Sequence, residues 1–359
     1  MATSLGKRQS NIELLRILSM LMIIGHHLSY YSGMSFDIST ITVNRVWAQM
    51  LSYGGHVGVD VFVLISGYFM IEQKGLKLSK LARVWLQLLF YSVGLYIFAV
   101  CFLGVEYESR LLIRYLFPFM YYQWTFASAY FELMIVAPFI NILLRNLTKK
   151  QFRLMLAVFG ILWVVIPMIC SYGSYTNYFI WLVVVYSIGA YIKLYPDDFS
   201  RSAGFYLGAT AIVALLCYMA TIVADIIGFR LPIFAEHATH FTGMQHINIV
   251  LWSVLLFLGF LKLRIPYIGF INYVATFVFG VYLIHDDFYI REYIWKSLTD
   301  NRTMSGKALF IPYTVLEIAG IFIACAFVEL LRQNLLERWY MKLVNKLVNK
   351  PQQKLNEIL

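Results

Sequence analysis

Residues Ile12–Tyr30 read IELLRILSMLMIIGHHLSY, and this stretch decides the fold class. A helix needs roughly 20 mostly apolar residues to cross the hydrocarbon core of a bilayer, where each backbone polar group must find its partner inside the protein. Ile12–Tyr30 has that length and carries only two ordinary charges, Glu13 and Arg16, both near its start. Comparable apolar runs follow at His56–Ile71, Val84–Gly104, Ala127–Leu144, Leu154–Cys170, Tyr178–Ile192, Ala203–Ile227, His246–Leu261, Phe270–Phe288 and Leu309–Leu331. The second and sixth are short. The aromatic stretch Tyr115–Phe126 reads as a re-entrant or interfacial piece. The chain is therefore predicted to be all-α, a polytopic membrane bundle of about ten transmembrane helices.

Composition agrees. Of 359 residues, 60% are hydrophobic and 13% charged, whereas soluble domains carry roughly 25% charged and about 45–50% apolar residues. A chain this apolar has too little polar surface to cover itself, so the lipid bilayer is its expected solvent. The aromatic share, 17%, suits interfacial belts and a large interior. The first apolar run ends in a polar, aromatic stretch without a small-residue cleavage site, so no cleaved leader is expected. Cys101, Cys170, Cys217 and Cys325 each lie in an apolar run with no metal-ligand spacing, and they read as small buried hydrophobes.

The net charge of +10 raises the question of nucleic acid, but the placement of the charges answers it differently. With the N-terminus in the cytoplasm, inner segments hold 20 of the 29 Lys and Arg residues and outer segments eight; Arg16 lies within the first span. The inner set runs from Lys7 and Arg8 through Lys74–Arg83, Arg145–Arg153, Lys193, Arg201, Lys262 and Arg264 to the tail. Basic residues favour the cytoplasmic side. Both termini are thus expected in the cytoplasm, with no nucleic-acid partner. The chain divides into a transmembrane domain, residues 1–331, and a basic amphipathic cytoplasmic tail, residues 332–359, that lies on the anionic inner leaflet.

Ionisable groups inside spans are costly and are functional candidates by default. At about 100° per residue, positions 16 and 27 fall within roughly 20° of each other, so Arg16 and His27 share one helix face about 16 Å apart. His26 points about 80° away from Arg16. Ser10–Glu13 fits a capping box, with Glu13 also placed to offset Arg16 at i,i+3. Lys77, Lys80 and Arg83 open the third span; cations at a helix start suit a phosphate-rich ligand, and equally suit simple topology. His285, Asp286 and Asp287, followed by Arg291 and Glu292, cluster at the outer end of the ninth span, where a carboxylate can hold a histidine in one tautomer. Asp60 is placed in the outer half of a short, glycine-flanked span. Asp225 and Glu317 are further intramembrane acids without an evident partner. His237, His240 and His246 do not make a zinc site by spacing, and no metal is expected.

The string RILSMLMIIGHH, Arg16 to His27, resembles the arginine–histidine signature of the acyltransferase 3 family of membrane O-acyltransferases, which modify bacterial surface sugars. GVDVFVLISGYFM (58–70) is similar to that family's second-helix block, and KLAR (80–83) to its paired-arginine motif. QWTFASAYFELMIVAPFIN (123–141) and FGVYLIHDDFYIREYIW (279–295) resemble later blocks of its polysaccharide O-acetyltransferases. The resemblance runs from Asn11 to about Leu331, and it departs at Lys80, a point charge where the family has the fork of an arginine.

This resemblance implies an O-acetyltransferase of the bacterial plasma membrane. It implies that His27 is the catalytic histidine and that Arg16, Lys80 and Arg83 serve cytoplasmic acetyl-CoA, the acyl donor. The acceptor is a hydroxyl of a cell-surface or lipid-linked carbohydrate, reached by His27 acting as base or as transient acyl carrier. Asp60 or Asp286 orients His27, and His285 stands on the acceptor side. The rival reading is a proton-coupled transporter or glycan flippase using the same intramembrane groups; no half-to-half match in the sequence favours it.

Overall fold

The structure, a computed structural model, describes residues 8–37, 39–169 and 177–358. The expectations placed on Lys7 and Cys170 lie outside the described residues. Helices follow one another as α1 (Ser10–Tyr31), α2 (Val43–Met70), α3 (Leu78–Phe102), α4 (Ser109–Leu116), α5 (Thr125–Asn146), α6 (Lys149–Gly160), α7 (Ile166–Ile169), α8 (Tyr178–Leu194), α9 (Ala203–Gly228) and α10 (Pro232–Glu236). The rest are α11 (Ile247–Lys262), α12 (Gly269–Val274), α13 (Val278–His285), α14 (Phe288–Tyr293), α15 (Asn301–Met304), α16 (Phe310–Arg332) and α17 (Arg338–Ile358). No strand occurs among the described residues. Eight helical stretches are long and apolar enough to cross a membrane, and α8 is equally apolar but shorter.

Two expected spans differ from their sequence reading. The second is not short: α2 is 28 residues long and begins at Val43, because its polar first turns find tertiary partners instead of water. The ninth is broken. Thr276 and Phe277 turn their N–H groups to the carbonyls of Tyr273 and Val274 (both 3.0 Å), and the Thr276 hydroxyl also donates to Tyr273 O (2.7 Å). Such local bonds compete with the helical ladder, so α12 and α13 are separate pieces.

The described residues form two compact units. The first contains residues up to Ile65, Pro196–Phe279 and Asp300–Phe322. In it α1 and α2 cross closely, and glycines make the crossing possible. A Cβ at Gly58 would lie 2.6 Å from Ser19 O, and one at Gly54 3.0 Å from Met22 O. α2 is pinned to α9 by Arg45, whose guanidinium pairs with Asp225, and by Gln49 Nε2, which donates to Asp225 Oδ2 (3.0 Å). Glu317 likewise accepts from Asn301 (2.8 Å). Both acids that lack an evident partner in the sequence therefore have one in the fold.

The capping box does not form. Gln9 is the N-cap and gives no side-chain bond, while Ser10 sits inside the helix. The Ser10 hydroxyl accepts from Ile268 N–H (2.8 Å) and donates to Asn272 Oδ1 (3.3 Å). A tertiary contact has replaced the local cap and ties α1 to α12.

The second unit contains Ser66–Tyr195, Gly280–Thr299 and residues from Ile323 onward. Asn141 on α5 donates to Met70 O (2.7 Å) and accepts from the Tyr186 hydroxyl of α8 (2.7 Å). α16 runs through a π-type turn, Gln333–Glu337, into α17. There Trp339, Leu343 and Leu347 lie exposed beside Lys342, Lys346 and Lys350. The aromatic stretch after α4 is held by Tyr115, stacked on Tyr96 with ring centroids 4.6 Å apart. Burial raises the Tyr115 hydroxyl above the ordinary phenol range.

Candidate active site

Arg16 lies in the second turn of α1, and Glu13 Oε2 stands 3.7 Å from its Nε. That Nε is buried and has no hydrogen-bond acceptor. An ionised donor without an acceptor is expensive in a low-dielectric setting unless a ligand completes it. Glu13 also stands 3.9 Å from Arg8, so its charge is shared.

His27 occupies the last turns of α1, half-buried, with its ring edge-on to Tyr31 at 5.5 Å and tilted to His26 at 5.8 Å. His26, one residue earlier, faces α2. Its Nδ1 is 2.7 Å from Ser52 O, and its ring is 4.9 Å from that of His56. His56 Nδ1 in turn bonds Thr242 O. A carbonyl can only accept, so both rings carry their proton on Nδ1 and leave Nε2 as the basic atom. Hydropathy alone marks His56 only as the start of a span. The adjacent Gly55, with no Cβ to collide with the His26 ring, is the signal that could have linked the two.

Asp60 is fully buried in α2. α1 and α2 run antiparallel, with Gly58 against Ser19 and Gly54 against Met22. This register sets Asp60 opposite the turn of α1 that carries Arg16.

Four other sequence-derived candidates belong to the second unit. Lys80 and Arg83 are exposed on the first turns of α3. Arg83 Nε lies 3.2 Å from Glu337 Oε1. Glu337 also pairs with Arg332, which is locked to Glu329 by two bonds of 2.7 Å. Glu329, fully buried, accepts further from Gln87 (3.0 Å), Tyr91 and Gln333 (2.8 Å). Gly280 leaves the room this carboxylate needs, since a Cβ there would stand 2.5 Å from Glu329 Oε2. Glu329, Arg332 and Glu337 lie close together in the chain, but Gln87, Tyr91 and Arg83, which they meet, are far away in it, so no sequence motif marks the cluster.

His285 is fully buried, with Nδ1 2.6 Å from Val281 O. Asp286 pairs with Arg291 at 3.1 Å. Asp287 is the N-cap of α14, accepting from Tyr289 N–H (3.1 Å) and Ile290 N–H (3.4 Å). Its place is thus accounted for by local structure. Among the described residues no group of three or more His, Cys, Asp or Glu side chains is placed to hold a metal ion.

Arg16, with its buried N–H lacking an acceptor, and His27, three turns later on the same helix, thus stand in the first unit. A family model described as an acyltransferase domain matches residues 9–330, nearly the whole chain. The chain belongs to the acyltransferase 3 family. Its function is accordingly of the acyltransferase type, carried on a multi-pass helical membrane fold. No curated protein and no solved structure matches this acyltransferase. The matched segment takes in Arg16, His27, Asp60, Lys80, Arg83, His285 and Asp286, and leaves α17 outside.

Proposed function

We propose that this acyltransferase moves an acetyl group from acetyl-CoA to a hydroxyl of a cell-surface or lipid-linked carbohydrate, at a bacterial plasma membrane with both chain termini inside. The observation that carries the reading is Arg16. Its buried Nε–H has no acceptor among the described residues, in a chain of an acyltransferase family. A donor bearing phosphates and a polarised thioester carbonyl supplies the missing acceptor.

In this reading Lys80 and Arg83 hold donor phosphates at the first turn of α3, where the helix N-terminus also favours anions. His27 takes the proton of the acceptor hydroxyl. The hydroxyl oxygen forms the new ester bond to the acyl carbon, the carbon–sulfur bond breaks, and the proton passes to the departing thiolate. The alternative is that His27 itself carries the acyl group between donor and acceptor. A neutral imidazole, with a reference pKa of about 6.5, suits either task near neutral pH. Asp60, at the level of Arg16 on the neighbouring helix, is assigned to balance that guanidinium. Asp286 and His285 are assigned to the acceptor side.

The test is His27→Ala in the producing cell, with O-acetyl esters on the surface glycan measured by NMR. The expected outcome is loss of the ester with the protein inserted at its normal level. An unchanged ester content removes His27 from the reaction.

A further inference from the structure

The loop after α1 and the turn before α16 border an open cavity of about 590 Å³ in the first unit. It is lined, among others, by Ser35, Asp37, Thr40, Arg302, Thr303 and Lys307. Its walls are built rather than loose. Arg45, buried in the first turn of α2, donates to Asp37 O (3.2 Å) and Thr40 O (2.9 Å) and so fixes the loop from beneath. Asn44 donates to Ser305 O (2.9 Å) and Lys307 O (2.8 Å), stitching the two walls together. Phe36 packs edge-on against Phe310 at 6.3 Å.

The charges in the lining are uneven. Asp37 is already engaged by the Ser39 N–H (2.8 Å) and hydroxyl, which hold its carboxyl below the usual carboxylate range. Arg302 and Lys307 have no carboxylate partner among the described residues. The cavity therefore offers hydroxyls and two cations to an occupant. Its position is also informative. α1 ends four residues beyond His27, about 6 Å of helix, and the lining begins at Ser35.

We propose that this cavity binds the sugar acceptor, and that the sugar it takes carries an acidic group, phosphate or carboxylate, beside its hydroxyls. Pockets of roughly 300–1,000 Å³ with a few convergent polar groups are the usual sites for small ligands and polymer segments. Hydroxyl and amide groups answer sugar hydroxyls, and an arginine beside a lysine answers the anion. The assignment of the occupant as acceptor rests on the acyl-transfer reading above.

The experiment uses the full chain in lipid nanodiscs and measures binding and transfer separately. Two probes distinguish the sources of the sugar: fluorescently end-labelled oligosaccharides released from the host's own surface glycan, and the host's lipid-linked oligosaccharide. One of them is expected to bind, and Arg302→Ala with Lys307→Ala weakens it at least tenfold. Ser35→Trp, which fills the cavity from an exposed position without changing charge, weakens it to a similar extent. The proposal is overturned when wild type binds neither probe, or when wild type and both variants bind alike. Transfer is scored in parallel. A wild type that binds the sugar yet transfers no acyl group sinks the proposed function and leaves the cavity standing. A wild type that transfers, with cavity variants that transfer equally well, sinks the cavity alone.

Discussion

Arg16 is the residue on which most depends. Lysine at this position would keep the positive charge but lose the Nε–H, the atom that lies buried without an acceptor. A charge-assisted hydrogen bond contributes about 1.5–3 kcal/mol. If acetyl-CoA is the donor, as proposed, Arg16→Lys is expected to weaken its binding roughly tenfold or more, measured by equilibrium binding in detergent; equal affinity would show that the guanidinium does not meet the donor. Single residues were unevenly legible in the sequence. Arg16 and His27 stand out because helical periodicity places them on one face and because charge inside an apolar run is conspicuous. The facing of His26 and His56 is not visible, since it depends on how α1 crosses α2. Asp225 looks partnerless for the same reason: its partner Arg45 stands 180 residues away in the chain.

At the level of helices, the sequence marks existence better than extent. All ten apolar runs lead to helix among the described residues, yet α2 is longer than its apolar core and the ninth run is broken. Hydropathy reports where lipid covers the chain; it is silent where polar turns are covered by protein. The α1–α2 crossing offers a sharp test. Alanine is worth about 0.8–1.0 kcal/mol over glycine in a helix, so propensity alone favours both Gly58→Ala and Gly94→Ala. A Cβ at Gly94 meets nothing within 4 Å, whereas at Gly58 it meets the Ser19 carbonyl. Overpacking costs about 1–3 kcal/mol. The expected result is a lower thermal midpoint for Gly58→Ala and an equal or higher one for Gly94→Ala. Equal behaviour would mean that the crossing is looser than described.

The junction of α16 and α17 gives a second test at this scale. Glu329 is the fully buried acceptor for Gln87, Tyr91, Arg332 and Gln333. Glu329→Gln keeps the shape and removes the charge that Arg332 needs. Breaking a buried pair costs about 3–5 kcal/mol, so the variant should unfold at a markedly lower temperature or fail to accumulate. A normal midpoint would mean that Arg332 is served by Glu337 and Tyr340 alone.

Over the whole molecule, topology is the property that the sequence states most directly. If the spans alternate from a cytoplasmic N-terminus, 20 of the 29 basic residues are expected on the inner side. Reporters that work only in the cytoplasm, fused at either end, should both be active; activity at one end alone would require an odd number of crossings. The division into two units is the counterpart that the sequence hides. Each unit gathers three separated segments, and α2, α13 and α16 each run across a boundary between segments. Hydrophobic patterning is local, and it carries no record of which distant segments assemble together.

Arg45 touches both the Asp225 carboxylate, deep in the protein, and the carbonyls of the loop at Asp37 and Thr40. These attachments tie the loop to a buried ion pair, as a lever is tied to its fulcrum. If the cavity takes the proposed sugar, a genetic screen for altered sugar preference is expected to recover Asp225 alongside the loop itself. Compensating changes would be sought at position 45 before anywhere on the surface.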